Sequence, residues 1–334
     1  MSQTPGLDLD RAGSLLLEAA DGRLSGPLDA EVISGGRSNL TYLVRGRTGQ
    51  VVLRRPPLGL VLPSAHDMAR EYRVTAALAE AGFPVARPLL LCTDEDVIGA
   101  PFYIMEYVDG VVLRGETLRE VPPDAARRHG DLLVDTLLRL HAIDYTTIGL
   151  ESFGRPDGYL LRQVQRWHRQ WESAKTRELP LLEEVTARLL DGVPVSPRPG
   201  IVHGDYRLDN VMLDRSLTGI AAVMDWEMAT IGDPLADVGL LVVYSDQTGL
   251  RLTPRVPEGF PSGPALAERY ARGSGIPLAG LDWYIAFGHF KLAVISEGIH
   301  ARYLQGKTVG EGFDTFGAAV PVLIEQAHAT LRKG

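Results

Sequence analysis

A single cysteine, Cys92, in 334 residues excludes an intramolecular disulfide and fits a reducing compartment. Cys92 itself reads as a small buried apolar residue near a strand. No apolar stretch is long enough to span a bilayer, and the opening MSQTPGLDLD lacks the basic start and apolar run of a signal peptide. The expectation is a cytoplasmic protein with no membrane partner. Positive charge is also in deficit. A net charge of -8 argues against a nucleic-acid partner, whose affinity would rest on clustered Lys and Arg. What remains is ordinary for a globular chain, with 45% apolar and 23% charged residues. The length suits two domains, each with its own core. The oligomeric state leaves no mark in the sequence.

Taken in order, residues Leu9 to Ala20 suggest a short surface helix. From Ala30 the runs AEVIS, LTYLVR and VVLRR, separated by glycines, predict an antiparallel meander of three strands. The first turn holds Gly35, Gly36, Arg37, Ser38 and Asn39. It is either a loop whose backbone N–H groups approach phosphates or a flexible turn. The third strand ends on Arg54 and Arg55. SAHD then opens a helix from about Ala65 to Ala81, with Ser64 as cap, Asp67 at the third helical position and Glu71 beside the apolar stripe. That Glu71 can pair with Arg54. Two further strands, around Pro88 to Cys92 and Phe102 to Tyr107, complete a small α+β lobe.

Beyond Glu106, Tyr107 and Val108 the chain turns helical. Asp124 to Ile143 is strongly amphipathic and carries His141 at its end, where a core or helix-end contact suits it better than a ligand role. Tyr159 to Lys175 carries Arg162, Arg166, Arg169 and Lys175 alongside Trp167 and Trp171. Such a run is ordinarily a solvated face, but this one is lopsidedly basic in an acidic chain. A further apolar segment, Leu181 to Leu190, leads into a Pro- and Gly-rich loop.

The chemistry concentrates in IVHGDYRLDN, Ile201 to Asn210, and in MDWEMATIGDPLAD, Met224 to Asp237. Buried apolar residues at both ends make His203 to Asn210 a loop between strands. Asp205 can meet a substrate hydroxyl and Asn210 can reach a metal. Asp225, at the exit of the strand Gly219 to Met224, supplies a second oxygen, so that Asn210 and Asp225 share one magnesium while Asp205 acts on the nucleophile. Asp233 and Pro234 mark a helix start, with Asp237 in its first turn.

HGDYRLDN resembles the HxDxxxxN catalytic loop of aminoglycoside phosphotransferases and other small-molecule kinases of the protein-kinase-like fold. MDWEMATIGDPLAD is similar to their metal-binding segment ending in GDPxxDL. The likeness runs over nearly the whole chain, through GGRSN, VVLRR, REY and MEYVDG. It implies a two-lobed α+β architecture, with a small antiparallel-sheet N-lobe carrying one helix over residues 1–107 and a larger, mainly helical C-lobe over residues 108–334. It also implies a transferase using ATP or GTP with Mg2+ on a small-molecule hydroxyl acceptor. By the same resemblance Asp205 is the catalytic base, with His203 and Arg207 beside it, and Asp237 braces the loop with His203. Asn210 and Asp225 bind the metal. The nucleotide falls to Gly35, Gly36, Ser38, Arg54 and Glu71, with Glu106, Tyr107 and Val108 as the hinge meeting adenine. Arg54 stands where the family usually has Lys, keeping the charge but not the shape. Trp226 and Glu227 follow Asp225 where Phe and Gly are found elsewhere in the fold.

LRRPPLGLVLPSAHDMAREYRV, the RW of the basic helix and AFGHFKLAVISEGIHARYLQG further resemble the kinase-like domain at the N-terminus of some acyl-CoA dehydrogenases. This likeness implies a hydroxyacyl-CoA or another anionic metabolite as acceptor, touched by Arg162, Arg166, Trp167 and Lys291. Arg302 lies on the same later helix as Lys291. The alternatives are an aminoglycoside O-phosphotransferase, a pseudokinase that binds nucleotide without turnover, and a magnesium-dependent phosphohydrolase. The intact set Asp205, Asn210 and Asp225 argues against the pseudokinase.

Overall fold

The alternating runs of the first third become β1 (Asp29–Val32), β2 (Leu40–Arg45) and β3 (Gln50–Arg55), paired antiparallel with Tyr42 opposite Leu53. The computed structural model describes residues 4–33, 39–58, 67–246, 256–306 and 312–333. Gly35, Gly36, Ser38 and Ser64 lie outside the described residues. With β4 (Pro88–Cys92) and β5 (Phe102–Glu106) the strands form a five-stranded sheet in the order β1-β2-β3-β5-β4.

Period-two alternation sends Tyr42, Val44, Val51, Leu53, Phe102 and Ile104 to one face of this sheet. There they form a core with Ala12 and Leu16 of α1 (Leu9–Ala19). The helix read as a surface element is therefore half buried, because its small and leucine positions fall on one side and close that face. The opposite face carries Leu43, Val52 and Tyr103, and α2 (Met68–Glu80) runs beside β4 and β5 with Tyr72 edge-on to Tyr103. Asp67 is the N-cap of α2, accepting from the Arg70 amide at 3.0 Å. It was expected at the third helical position; a carboxylate that satisfies an amide three residues on does so from the cap. Cys92 is buried, as expected.

Past β5 the chain continues through β6 (Val111–Val112), α3 (Gly115–Arg119), α4 (Pro123–Ala142), α5 (Tyr159–Ala174) and α6 (Pro180–Asp191). It then enters β7 (Gly200–Val202), β8 (Val211–Leu213), β9 (Ile220–Val223) and β10 (Thr230–Gly232), and finishes with α7 (Leu235–Ser245), α8 (Gly263–Ser274), α9 (Leu281–Leu304) and α10 (Phe316–Leu331). No described helix is long and apolar enough to cross a membrane.

The chain divides into two compact units, Met1–Val111 with Met212–Ala229, and Val112–Val211 with Thr230–Gly334. Within the first, the returning segment is fastened by the Val223 amide on the Pro84 carbonyl (2.8 Å) and by Arg70 on the Ala229 carbonyl (3.0 Å). Trp226 also packs edge-on against Phe83. The second unit is mainly helical. Every residue of α7 is buried, as befits a helix with no polar face, and α9 packs against α5, α7 and α10. β7 and β10 pair antiparallel, with Ile201 opposite Ile231. α7 starts one residue later than the Asp-Pro signal suggests, yet Asp233 still accepts from the Leu235 amide (2.9 Å) and from the Tyr284 hydroxyl (2.7 Å).

On α9, the His289 Nδ1 is buried without a hydrogen-bond partner among the described residues, and burial pushes the imidazole down to about 4. The unfolded chain, with an ordinary histidine near pH 6.5, binds the proton first. Stability should therefore hold above about pH 6.5 and fall, by up to about 3 kcal/mol, as pH drops toward 4. Thermal midpoints measured across that window should decline in the wild type and flatten in His289→Leu.

Candidate functional site

In the first unit the site residues gather around one guanidinium. Arg54, at the end of β3, donates through Nε to Glu71 of α2 (2.8 Å), through Nη2 to Asp225 (2.8 Å) and through Nη1 to the Thr41 hydroxyl (3.3 Å). Its side chain is 12% exposed and that of Glu71 only 2%. Burial opposes the charge on Arg54, but the facing Glu71, Tyr103 and Asp225 outweigh it and hold the guanidinium protonated. Such a pair is costly to break, because either partner left alone is a buried charge. Glu71 also accepts from the Tyr103 hydroxyl (3.2 Å) and the Asn39 amide (2.7 Å), and Asn39 lies 3.4 Å from Glu227. Asp225 itself has φ 66°, a left-handed conformation that Asp tolerates better than most residues. Its carboxylate is thus aimed by a strained turn after β9 and by Arg54. Glu106 ends β5, with its amide on the Arg87 carbonyl (2.9 Å) and its carboxylate on Arg23. Tyr107 and Val108 follow, half-buried.

In the second unit the loop after β7 is held from beneath. Asp237, in the first turn of α7 and fully buried, accepts from the amides of His203 (2.7 Å) and Gly204 (2.8 Å) and from His141 Nε2 (3.3 Å). Burial alone would raise its pKa. The His141 bond, the His203 and His141 rings and the Gly204 amide outweigh burial and hold the carboxyl below the usual range. The Tyr270 hydroxyl meets the other nitrogen of His141 at 2.8 Å. Gly204 adopts φ 85°, the left-handed turn that a side chain resists. Its carbonyl takes the ammonium of Lys291, from α9. Burial pushes that ammonium's pKa down, and it lies 5.4 Å from the centroid of the buried Trp167 ring.

Asp205 follows. Its amide donates to His203 Nδ1 at 3.2 Å. Asn210, reached through a turn of 3-10 helix at Leu208–Asn210, donates Nδ2 to the Asp205 carbonyl and to Oδ2, both at 2.9 Å. With that nitrogen committed, the Asn210 Oδ1 is the atom of its amide suited to a hard cation. Arg207 Nε lies 3.4 Å from Asp205 Oδ2 and 3.1 Å from Asp209. The hydroxyl of Tyr244, on α7, donates to Asp205 Oδ1 at 2.5 Å. Beside Arg207 and Tyr244 opens a cavity whose apolar wall includes Leu113, Leu118, Leu133, Leu241 and Phe260. Asp209 is its one acidic lining residue among those described.

On α5, Arg162 gives its guanidinium to the carbonyls of Arg155 and Asp157, and Lys175 pairs with Glu172 and Glu178. Arg166 is exposed, its guanidinium 5.8 Å from the Trp167 ring centroid. Sequence reasoning passed over Tyr103, Thr41 and Tyr244 as site residues. Tyr244 had a signal, since it lies seven residues after Asp237 and two helical turns bring both to one face. Oxygen donors such as the Asn210 Oδ1 and the Asp225 carboxylate fit magnesium, which prefers hard ligands.

The profile of the phosphotransferase enzyme family matches residues 29–287. Acyl-CoA dehydrogenase family member 11 of Gallus gallus is 36% identical over 313 residues, 90% of this chain and 40% of that protein. Member 10 of Mus musculus is 36% identical over 291 residues, 85% of this chain and 27% of that protein. The chain thus spans less than half the length of these curated relatives. A putative aminoglycoside phosphotransferase of Ralstonia eutropha JMP134 superposes with TM-score 0.84 at 30% identity, covering 98% of each chain. Choline kinase of Cryptosporidium parvum Iowa II superposes with TM-score 0.65 at 12% identity over 96% of each chain, a likeness of fold alone.

Proposed function

This chain belongs to the phosphotransferase enzyme family and has a protein-kinase-like fold, and from that premise we propose that it transfers the γ-phosphate of Mg·ATP to the hydroxyl of a small-molecule acceptor. The observation that carries the reading is the setting of Asp205, a carboxylate held through both oxygens on a loop pinned by Asp237. In this reading Asp205 accepts the acceptor's proton as the hydroxyl attacks, and Arg207 faces the charge on the transferred group. Arg54, fixed by Glu71, anchors the nucleotide phosphates, to which Gly35, Gly36 and Ser38 are also assigned. Glu106 to Val108 meet the base. His203 and Asp237 keep the loop in shape. Asn210 and Asp225 are each assigned as an oxygen ligand for magnesium, which when bound neutralises phosphate charge.

For the acceptor we propose a hydroxyacyl thioester of coenzyme A. The wall beside Arg207 and Tyr244 is leucine-rich, an apolar lining of the kind an acyl chain packs against. A polycationic aminoglycoside would call for a wall of carboxylates, and the cavity's described lining supplies only Asp209. Exposed Arg166 suits the anionic coenzyme. The relatives named for acyl-CoA chemistry agree in direction.

ADP release from Mg·ATP with a medium-chain hydroxyacyl-CoA, kanamycin or choline tests the reading. Release stimulated only by the thioester is expected; no stimulation by the thioester would overturn it as the acceptor, and no ADP release at all, even to water, would overturn phosphotransfer. Arg166→Glu should raise KM for the thioester about 3- to 10-fold, the size of one exposed charge contact, and leave KM for ATP unchanged.

A further inference from the structure

We propose that Tyr244 is a positioning residue for the general base, holding the Asp205 carboxylate in the orientation from which it takes the acceptor's proton. This rests on the phosphotransfer reading above. An ionised carboxylate only accepts, so the 2.5 Å contact has the phenol donating to Oδ1. A phenol donating to a carboxylate is a charge-assisted hydrogen bond. Oδ2 meanwhile receives Asn210 Nδ2 at 2.9 Å and lies 3.4 Å from Arg207 Nε. Rotation of the carboxylate about its last torsion would break the bonds at both oxygens. Each oxygen still has a second lone pair, which leaves room for an acceptor hydroxyl.

The tyrosine is itself immobilised. It is 8% exposed, its ring lies 5.2 Å from the Arg207 guanidinium, and it closes one wall of the leucine-rich cavity. α7 thus acts on the loop at two points, with Asp237 gripping the backbone and Tyr244 the reacting side chain. A phenol serving only as core filler would be better replaced by Phe, since a buried hydroxyl needs a partner. Here the partner is the base.

Tyr244→Phe removes the O–H and keeps the ring against Arg207 and the cavity. With Mg·ATP and a medium-chain hydroxyacyl-CoA, kcat should fall about 10- to 50-fold, a part of what general-base catalysis supplies. KM for ATP and the thermal midpoint should stay close to wild type. The acceptor-free hydrolysis of Mg·ATP should fall in parallel. As a readout independent of turnover, the ultraviolet resonance Raman difference between wild type and Tyr244→Phe should carry the tyrosine doublet of a strong donor, and Asp205→Ala should abolish that signature. Full kcat in Tyr244→Phe, or no donor signature in the wild type, overturns the positioning role alone. Wild-type protein that transfers no phosphate, even to water, overturns the phosphotransfer reading and the positioning role with it.

Discussion

Asp205→Asn should lower phosphoryl transfer by about 10²- to 10⁴-fold, the range that general-base catalysis contributes, while ATP affinity measured by calorimetry stays within about twofold. The separation of the two effects follows from the atoms involved. Asn keeps the size of Asp205 and still offers an oxygen to Tyr244 or to the Asn210 amide, so the loop should keep its shape. It cannot take the acceptor's proton. The nucleotide is assigned to Arg54 and Glu71, which the change does not touch. Loss of ATP binding with the loss of transfer would instead make Asp205 a metal ligand and return the base to an open question. Thermal midpoints should be measured alongside, because removing a half-buried negative charge also takes an ionic partner from Arg207.

The largest effect on stability should come from Asp237→Ala, which is expected to cost about 3–5 kcal/mol, as removal of one partner from a buried charged network does. Two amides, His203 and Gly204, and the His141 ring lose their acceptor together, and each stranded donor costs about 1–3 kcal/mol. Urea unfolding gives the measurement, with fluorescence and circular dichroism followed together because two units need not unfold as one. The pH dependence has a definite sign. The folded pKa of Asp237 lies below its unfolded value, so its contribution is complete above the usual carboxylate range near 4 and is lost as pH falls through the folded value. The gap between wild type and variant should therefore be constant from neutral pH to about pH 5 and narrow only in stronger acid. A gap that widens on acidification would contradict this assignment.

Much of this was legible because the relevant signals are local. Alternating and β-branched residues in LTYLVR and VVLRR set the strands, and the apolar ends of IVHGDYRLDN made a loop of its polar middle. The pairing of Arg54 with Glu71 was reachable because a strand end and the following helix are neighbours in the chain, 17 residues apart. The bond from Arg54 to Asp225 spans 171 residues, and no spacing announces it. Facing direction was the other blind spot. Arg162 and Arg166 sit on one basic helix, but the first turns back to its own N-terminal carbonyls and the second does not. Lys291 was read with Arg302 as a cation of the later helix, yet only the fold shows its buried ammonium on the Gly204 carbonyl. Likewise α1 looked superficial because the sheet face it closes, with Tyr42, Leu53 and Ile104, lies elsewhere in the chain.

The first unit is discontinuous, with Met212–Ala229 returning to residues 1–111. During synthesis the first five strands emerge well before Val223, Asp225 and Trp226 exist. Until then Arg54 has Glu71 as its ionic partner but not Asp225, and Pro84 lacks the amide of Val223. The second unit's α3 to α6 leave the ribosome in that interval, so the first unit cannot be completed as an independent early product in the way contiguous domains are. Arg54 thus acquires its full set of partners only after about two thirds of the chain has been made.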